Sequence, residues 1–293
     1  MNKENFAFKI GDFTCTAISD GSLTYAPPVF PAPTAFLFPN APKGILEQVL
    51  HEHNIQPEHW TEWISPYTCL MINAEEHRVL VDTGADGLGP NTGNLLQNLQ
   101  RQGVSPRDID TVILTHGHPD HLGGNTTLEG KPIFPNARFV MWKSEWDFWT
   151  SKQSEQIIKE HGMELLLSIA HKNLLPIQDM VTLVDNESEI LPGIRAIATP
   201  GHTPGHMALT ISSKDEQLLV IADAFIHPIH IEHPDWYAAI DAIPQQVVNS
   251  RRRLLNLNTE KTVVSAFHFP FPGLGHILQK GEEWKWQPIL KVN

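Results

Sequence analysis

The apolar run Thr111-Val-Ile-Leu114 passes straight into Thr115-His-Gly-His-Pro-Asp-His121. No other stretch limits the fold as much. A short run without alternation reads as a strand buried on both faces, as in a parallel sheet covered on each side. Four side chains able to bind metal, His116, His118, Asp120 and His121, follow it almost at once. Imidazoles and carboxylates this crowded are costly to bury without partners, and a bound cation supplies one. Leu122-Gly-Gly-Asn125 then allows the chain to turn tightly. The cluster is therefore placed in a loop at the C-terminal end of a strand, the edge where open α/β sheets carry their chemistry.

Three further apolar runs end in the same way. Ile197-Ala-Thr-Pro-Gly-His202, Leu219-Val-Ile-Ala-Asp223 and Val263-Val-Ser-Ala-Phe-His268 each bring one imidazole or carboxylate just past a strand. Strand ends meeting at one edge would gather His116, His118 and His202 around one cation. Asp120, His121 and His268 would surround a second, with Asp223 bridging the two. Such ligands suit two divalent ions, zinc first, with manganese, iron or cobalt as alternatives. The 16 histidines, against 21 Lys plus Arg, are a surplus that a metal centre partly explains.

The remaining pattern is that of an α/β chain. Strands are expected in the segment up to Ile18 and at Thr68–Ile72, Arg78–Val81, Arg138–Trp142, Val181–Val184, Ile194–Ala198, His206–Ile211 and Leu218–Ala222, with a last strand at Val263–Ala266. Helices are expected within 45–63, ending in Trp60 and Trp63, and at Gly93–Gln102, Glu155–Ala170 and Gln245–Leu257. Six prolines make 24–44 an irregular arm, and Phe30, Phe36 and Phe38 suit it to cover a cleft or a dimer partner. With no repeat or linker, residues 1–293 are read as one domain of two packed sheets with helices outside.

A formal charge of −12 argues against a nucleic-acid or anionic-membrane partner. No apolar stretch is long enough to span a bilayer, and the charged N-terminal segment does not read as a secretory signal, so a cytoplasmic protein is expected. Cys15 and Cys69 lie in strand-like runs and are read as buried thiols.

The run at 116–121, followed by His202, Asp223 and His268, resembles the metallo-β-lactamase superfamily over about residues 66–276. The resemblance implies an α/β fold, a four-layer αβ/βα sandwich of two mixed sheets flanked by helices, around a dinuclear hydrolase centre. It also makes Asp82, in Val81-Asp-Thr-Gly84, the carboxylate that holds a ligand imidazole. Leu80–Pro90, Pro200–His206 and His268–His276 look like the methyl parathion hydrolase branch, which also contains N-acyl homoserine lactonases. That likeness implies a homodimer and nominates Trp149 for the substrate pocket. Leu88 stands where the parathion hydrolase is expected to have an aromatic ring, a departure from an aryl-phosphotriester pocket.

The chemistry implied is metal-assisted hydrolysis, in which paired cations ~3.5–4 Å apart lower the pKa of a shared water toward ~7. Asp120 is then the candidate proton carrier to the leaving group, and Asp223 the second catalytic carboxylate. A neutral ester fits the acidic chain, a lactone of the N-acyl homoserine type being the first reading and an organophosphate triester or aryl ester the second. Thioester or β-lactam hydrolysis and a non-catalytic di-iron redox module are further alternatives. His206 is expected to support the ligands from behind. Phe225, Ile226, Leu88 and His276 join Trp149 as pocket candidates, and Trp142 and Trp146 are read as core. His227, His230 and His233 are read as hydrogen-bonded loop histidines beside the cleft. His51, His53, His59, His77, His161 and His171 are read as surface or packing residues, and Arg251–Arg253 as a solvated helix face.

Overall fold

The computed structural model describes residues 4–160 and 162–289. His161 and the side chain of Ile157, which falls within the expected 155–170 helix, lie outside the described residues. The first sheet runs, in spatial order, β1 (Asn5–Ile10), β2 (Phe13–Tyr25), β3 (Trp63–Ala74), β4 (His77–Val81), β5 (Thr111–Ile113), β6 (Arg138–Trp142) and β7 (Val181–Val184). Its first four strands pair antiparallel and β4 to β7 pair parallel. The second sheet holds β8 (Glu189–Leu191), β9 (Ile194–Ala198), β10 (Met207–Ser213), β11 (Glu216–Val220), β12 (Val263–Ser265), β13 (Leu274–Lys280) and β14 (Glu283–Pro288), again side by side in chain order. Only β11 and β12 pair parallel there.

The period of two along each strand decides what each face covers. Leu70 and Ile72 of β3, Val79 and Val81 of β4, Ile113 and Val140 turn toward the second sheet. They meet Ile194, Ala196, Met207, Leu209, Ile211, Leu218 and Val220 there. The alternate residues Cys69, Met71, Leu80, Val112, Phe139 and Met141 face helices at Leu95–Arg101, Lys143–Thr150 and Glu164–Leu174. On the far side, Ala208, Leu219 and Val264 pack under Leu254 and Leu255 of the Pro244–Leu257 helix. Two mixed sheets flanked by helices are thus the architecture, and both cysteines are buried in it.

Four expectations need correction. Trp63 opens β3; the helix of that region is Lys43–Glu52. Residues 155–170 belong to two helices, Lys152–Glu160 and Glu164–Leu174, and Gly162 between them has φ +71°, a conformation that continues no helix. Val263–Ser265 is not the last strand, because β13 and β14 form a hairpin beyond it. Their charged, half-exposed edge hid a readable signal, the alternation of Trp284 and Trp286 with polar residues. The arm at 24–44 is not wholly irregular: it contains the short helix Pro33–Leu37, and Phe36, Leu37 and Phe38 are buried against Trp63, Ile226 and Trp236.

Candidate metal centre

Strands β4, β5, β9, β11 and β12 each run into a loop at one edge of the two sheets. Asp82 follows β4; the His116–His121 loop follows β5; His202, Asp223 and His268 follow β9, β11 and β12. The backbone sews the sheets together beside these loops, Met207 N donating to Thr115 O at 3.0 Å and Thr68 N to Phe267 O at 3.1 Å. The structure brings all seven expected ligands into two adjoining buried groups. In one, His116, His118, His202 and Asp223 offer ligand atoms within 4.8 Å of one another; in the other, Asp120, His121 and His268 do the same. Asp223 lies between them. Its Oδ2 is 2.9 Å from His268 Nε2 and 3.3 Å from His202 Nε2, and its Oδ1 is 3.1 Å from His121 Nε2.

Two of the inward atoms lack the partners that buried polar groups require. Among the described residues, His121 Nε2 and Asp223 Oδ1 have no hydrogen-bond partner. His118 Nδ1 faces two other ring nitrogens, His202 Nε2 at 2.9 Å and His116 Nε2 at 3.1 Å. Imidazole nitrogens converging on one point are an arrangement that a divalent cation satisfies and a shared proton does not. These residues fit two such ions.

The outward nitrogens are anchored. His121 Nδ1 donates to Asp82 Oδ2 at 2.8 Å, and Asp82 also accepts from Thr115 N and Oγ1. His202 Nδ1 donates to Asp241 Oδ1 at 2.8 Å, and His268 Nδ1 lies 2.8 Å from Ser65 Oγ. Fixing the outer nitrogen sets the tautomer and aims the inner one. His206 uses its nitrogens otherwise: Nε2 accepts from Asp223 N at 3.1 Å while Nδ1 meets Thr199 Oγ1 at 2.8 Å, so it positions the Asp223 backbone from behind.

Electrostatics follow from this packing. Burial, reinforced by neighbouring imidazoles, holds His116 and His118 well below the usual histidine range, leaving neutral rings able to ligate. Burial also opposes charge on His202 and His121, but the carboxylates outweigh it. His202 is raised to about 9 by Asp223 and Asp241, and His121 well above its ordinary value by Asp223, Asp82 and Asp120. Cation binding at such rings displaces protons.

Besides Ser65, three supporting residues were not found from the sequence. Glu145, fully buried, accepts from Gly117 N at 2.8 Å and Trp149 Nε1 at 2.7 Å through Oε1, and from Gly205 N at 2.8 Å through Oε2. It ties the loop of His116 and His118 to the loop of His202 and His206. A Cβ at Gly117 would fall 2.1 Å from Trp149 Nε1, and one at Gly205 2.2 Å from Glu145 N, so glycine is needed at both for this close approach. Asp241 and Arg251 form the second support. Arg251 is wholly buried, donating to the carbonyls of Ala224 and Trp236 and pairing with Asp241 at 3.4 Å. The solvated-face reading therefore fails for Arg251 and holds for Arg252 and Arg253, which pair with Asp235 and Glu187 at the surface. Nothing in the local pattern marked Glu145 or Asp241, because the contacts that tie them to the site, Gly117 and Gly205 for the one and His202 for the other, come from segments distant in sequence.

The ligands form the floor of a cavity of about 560 Å³. His118, Asp120, His202, Asp223 and His268 reach it; its walls are Leu23, Tyr25, Phe30, Phe36, Trp63, Leu88, Leu165, Leu166, Ile169, Ile226 and Ile240, with a few others. The arm at 24–44 thus supplies part of the wall.

The sequence pattern of the metallo-beta-lactamase superfamily matches residues 64–266. The chain belongs to that superfamily. An N-acyl homoserine lactonase from Bacillus sp is 27% identical over 225 residues, covering 69% of this chain and 81% of the relative. Among solved structures, AidC, a dizinc quorum-quenching lactonase in complex with a product, N-hexnoyl-L-homoserine, superposes with a TM-score of 0.86 at 27% identity, covering 99% of each chain. The hydrolase AbOPH of the beta lactamase superfamily gives 0.87 at 25% identity and covers both chains fully. Within the superfamily the chain is similar to N-acyl homoserine lactonases and to metal-dependent hydrolases.

This superfamily member departs from the expected pocket at three positions. Leu88 and Ile226 line the cavity; Trp149, Phe225 and His276 do not. Trp149 is 1% exposed because Glu145 holds its indole, and its ring packs edge-on to His118. Phe225 turns into the core behind Asp223, with the Arg251 guanidinium over its ring. His276 sits on β13, where Nδ1 bonds Thr262 O at 2.9 Å, away from the cavity. Nor do His227, His230 and His233 line it. His230 Nε2 donates to Leu37 O, His227 packs on Phe38 and Trp60, and His233 stacks on Trp236. Among the described residues no helix is long and apolar enough to cross a membrane.

Proposed function

We propose that this chain is a dinuclear metal-dependent hydrolase of neutral esters, acting on lactones of the N-acyl homoserine type. The observation that carries the reading is one cavity with two groups of histidine and aspartate at its floor and apolar walls above them. His116, His118 and His202 would hold one cation, Asp120, His121 and His268 the other, and Asp223 would reach both, zinc being the first expectation. Bound there, two such cations supply Lewis acidity and a hydroxide source at neutral pH.

The protein's own groups do the rest. Asp82, Asp241 and Ser65 keep the ligand rings aimed inward. Asp120 is the most accessible of the site carboxylates at 11% side-chain exposure, 3.5 Å from His268 Nε2, and would carry a proton to the departing alkoxide. Leu166, Ile169, Ile226 and Ile240 present a surface that accepts an acyl chain and excludes water. A neutral lactone also avoids the repulsion that an anion would meet from a chain of charge −12. The similarity to N-acyl homoserine lactonases and to AidC supports the same substrate class.

The test is a panel of N-acyl homoserine lactones of several chain lengths beside paraoxon-type triesters, with metal content measured on the same sample. Turnover of the lactones at two metals per chain is expected. A preference for the triesters would replace the substrate with an organophosphate, and activity on neither would remove the proposal. A homodimer in the cytoplasm, with the arm as cavity wall, is the accompanying expectation.

A further inference from the structure

Away from the ligands, the cavity offers few polar side-chain atoms: the Thr24 and Tyr25 hydroxyls and the Trp63 indole. Tyr25 differs from the others in how it is held. Its hydroxyl lies 2.9 Å from that of Tyr67, which is fully buried. Among the described residues, neither phenol has a second hydrogen-bond partner. The pair has two protons, and only one can lie between the two oxygens. Were Tyr25 the donor, the Tyr67 proton would be stranded in the core, the costlier arrangement. Tyr67 must therefore donate to Tyr25, which leaves the Tyr25 proton aimed at the cavity. Burial, with the charges of Asp120 and Asp223, keeps both phenols protonated well above the ordinary tyrosine range.

The position of this donor narrows what it meets. The Tyr25 ring packs against Trp63 at 5.0 Å and Phe30 at 4.5 Å; Trp63 in turn lies 6.1 Å from His268. The Tyr25 hydroxyl therefore stands between the reacting floor and the apolar wall. We propose that Tyr25, oriented by Tyr67, is a substrate-binding residue that donates a hydrogen bond to the amide carbonyl of an N-acyl lactone. The amide is the acceptor that joins the ring, over the ligands, to the acyl chain along the wall. This inference rests on the lactonase reading and adds the residue that selects an N-acylated lactone over a plain alkyl lactone.

The experiment compares wild type with Tyr25→Phe and Tyr67→Phe, using N-decanoyl homoserine lactone and a γ-alkyl lactone of similar length that lacks the amide. Tyr25→Phe keeps the ring packing, and thermal melts of metal-free protein check the fold. The ratio of KM values, N-acyl to alkyl lactone, should rise about tenfold in Tyr25→Phe, the worth of roughly one hydrogen bond, with kcat moving less. Tyr67→Phe should shift it in the same direction by a smaller factor. If Tyr25→Phe changes both substrates equally, the assignment is overturned and the lactonase reading stands. If wild type hydrolyses neither lactone, the reading falls, and the role of Tyr25 with it.

Discussion

Replacing Glu145 with glutamine should loosen the centre without touching a ligand. Among the described residues the carboxylate has no cationic partner; it receives Gly117 N and Trp149 Nε1 on one oxygen and Gly205 N on the other, and the Thr203 hydroxyl also favours its charged form. An amide retains one acceptor oxygen. Placed toward Gly117 and Trp149, it turns its own NH2 at Gly205 N and strands that donor in the core. Losing a charge-assisted bond costs about 1.5–3 kcal/mol. Part of this is offset because burial raises the Glu145 pKa, which means that its charge is held at some cost. The net loss is then about 2 kcal/mol, or roughly 3 °C in melting temperature for a chain of this size. The two segments so released carry His116 and His118 on one side and His202 on the other, so cation affinity at that group should fall about 10–100-fold. Differential scanning fluorimetry of the metal-free protein reads the first effect, and competition against a chromophoric zinc chelator reads the second. A Glu145→Gln protein that melts within about 1 °C of wild type and binds both cations as tightly would show that the carboxylate does not join the loops.

Asp82→Asn tolerates the left-handed backbone at φ +59° but loses the carboxylate that orients His121. The affinity of the group containing His121 should drop about 10–100-fold, visible as one weakened step in a zinc titration; two unchanged steps would contradict the role. Burial pushes the Cys15 thiol up to about 12 and Cys69 well above its usual value. The folded protein should therefore resist a thiol reagent at mildly alkaline pH and show both thiols after unfolding; prompt labelling of the native chain would refute the burial. Burial likewise raises the Asp20 carboxyl to about 6, although it accepts from Ala85 N, Gly93 N and Leu95 N. The folded chain then holds that proton more tightly than the unfolded one. Its contribution, about 3 kcal/mol, is complete below the unfolded value near 3.8 and lost as pH rises through about 6. Denaturant melts of wild type and Asp20→Asn between those limits should diverge in that direction, and parallel curves would dismiss the shift.

Much of the site was legible because its ligands end strands, and strand ends are written locally. An apolar run followed within a few residues by histidine or aspartate marks both the element and the chemistry, which is why His116, His118, Asp120, His121, His202, Asp223 and His268 could be named before any geometry. The two-sheet architecture followed from the same runs. The residues that were missed or misplaced are those whose role depends on side-chain direction. Trp149 was assigned to the pocket by likeness, yet a turn of helix delivers its indole to Glu145. Arg251 sits in a basic triplet that reads as solvated, yet the face of its helix puts it against Asp241 and two carbonyls.

The sequence alone therefore determined which atoms can bind a cation and which strands present them, because both depend on neighbours a few positions apart. Only the tertiary structure decided which carboxylates stand behind those atoms, that the proline-rich arm walls the cavity, and that Tyr25 faces into it. Those outcomes depend on contacts between segments tens to hundreds of residues apart. Their register is set by how the two sheets and their helices pack, which no local pattern encodes.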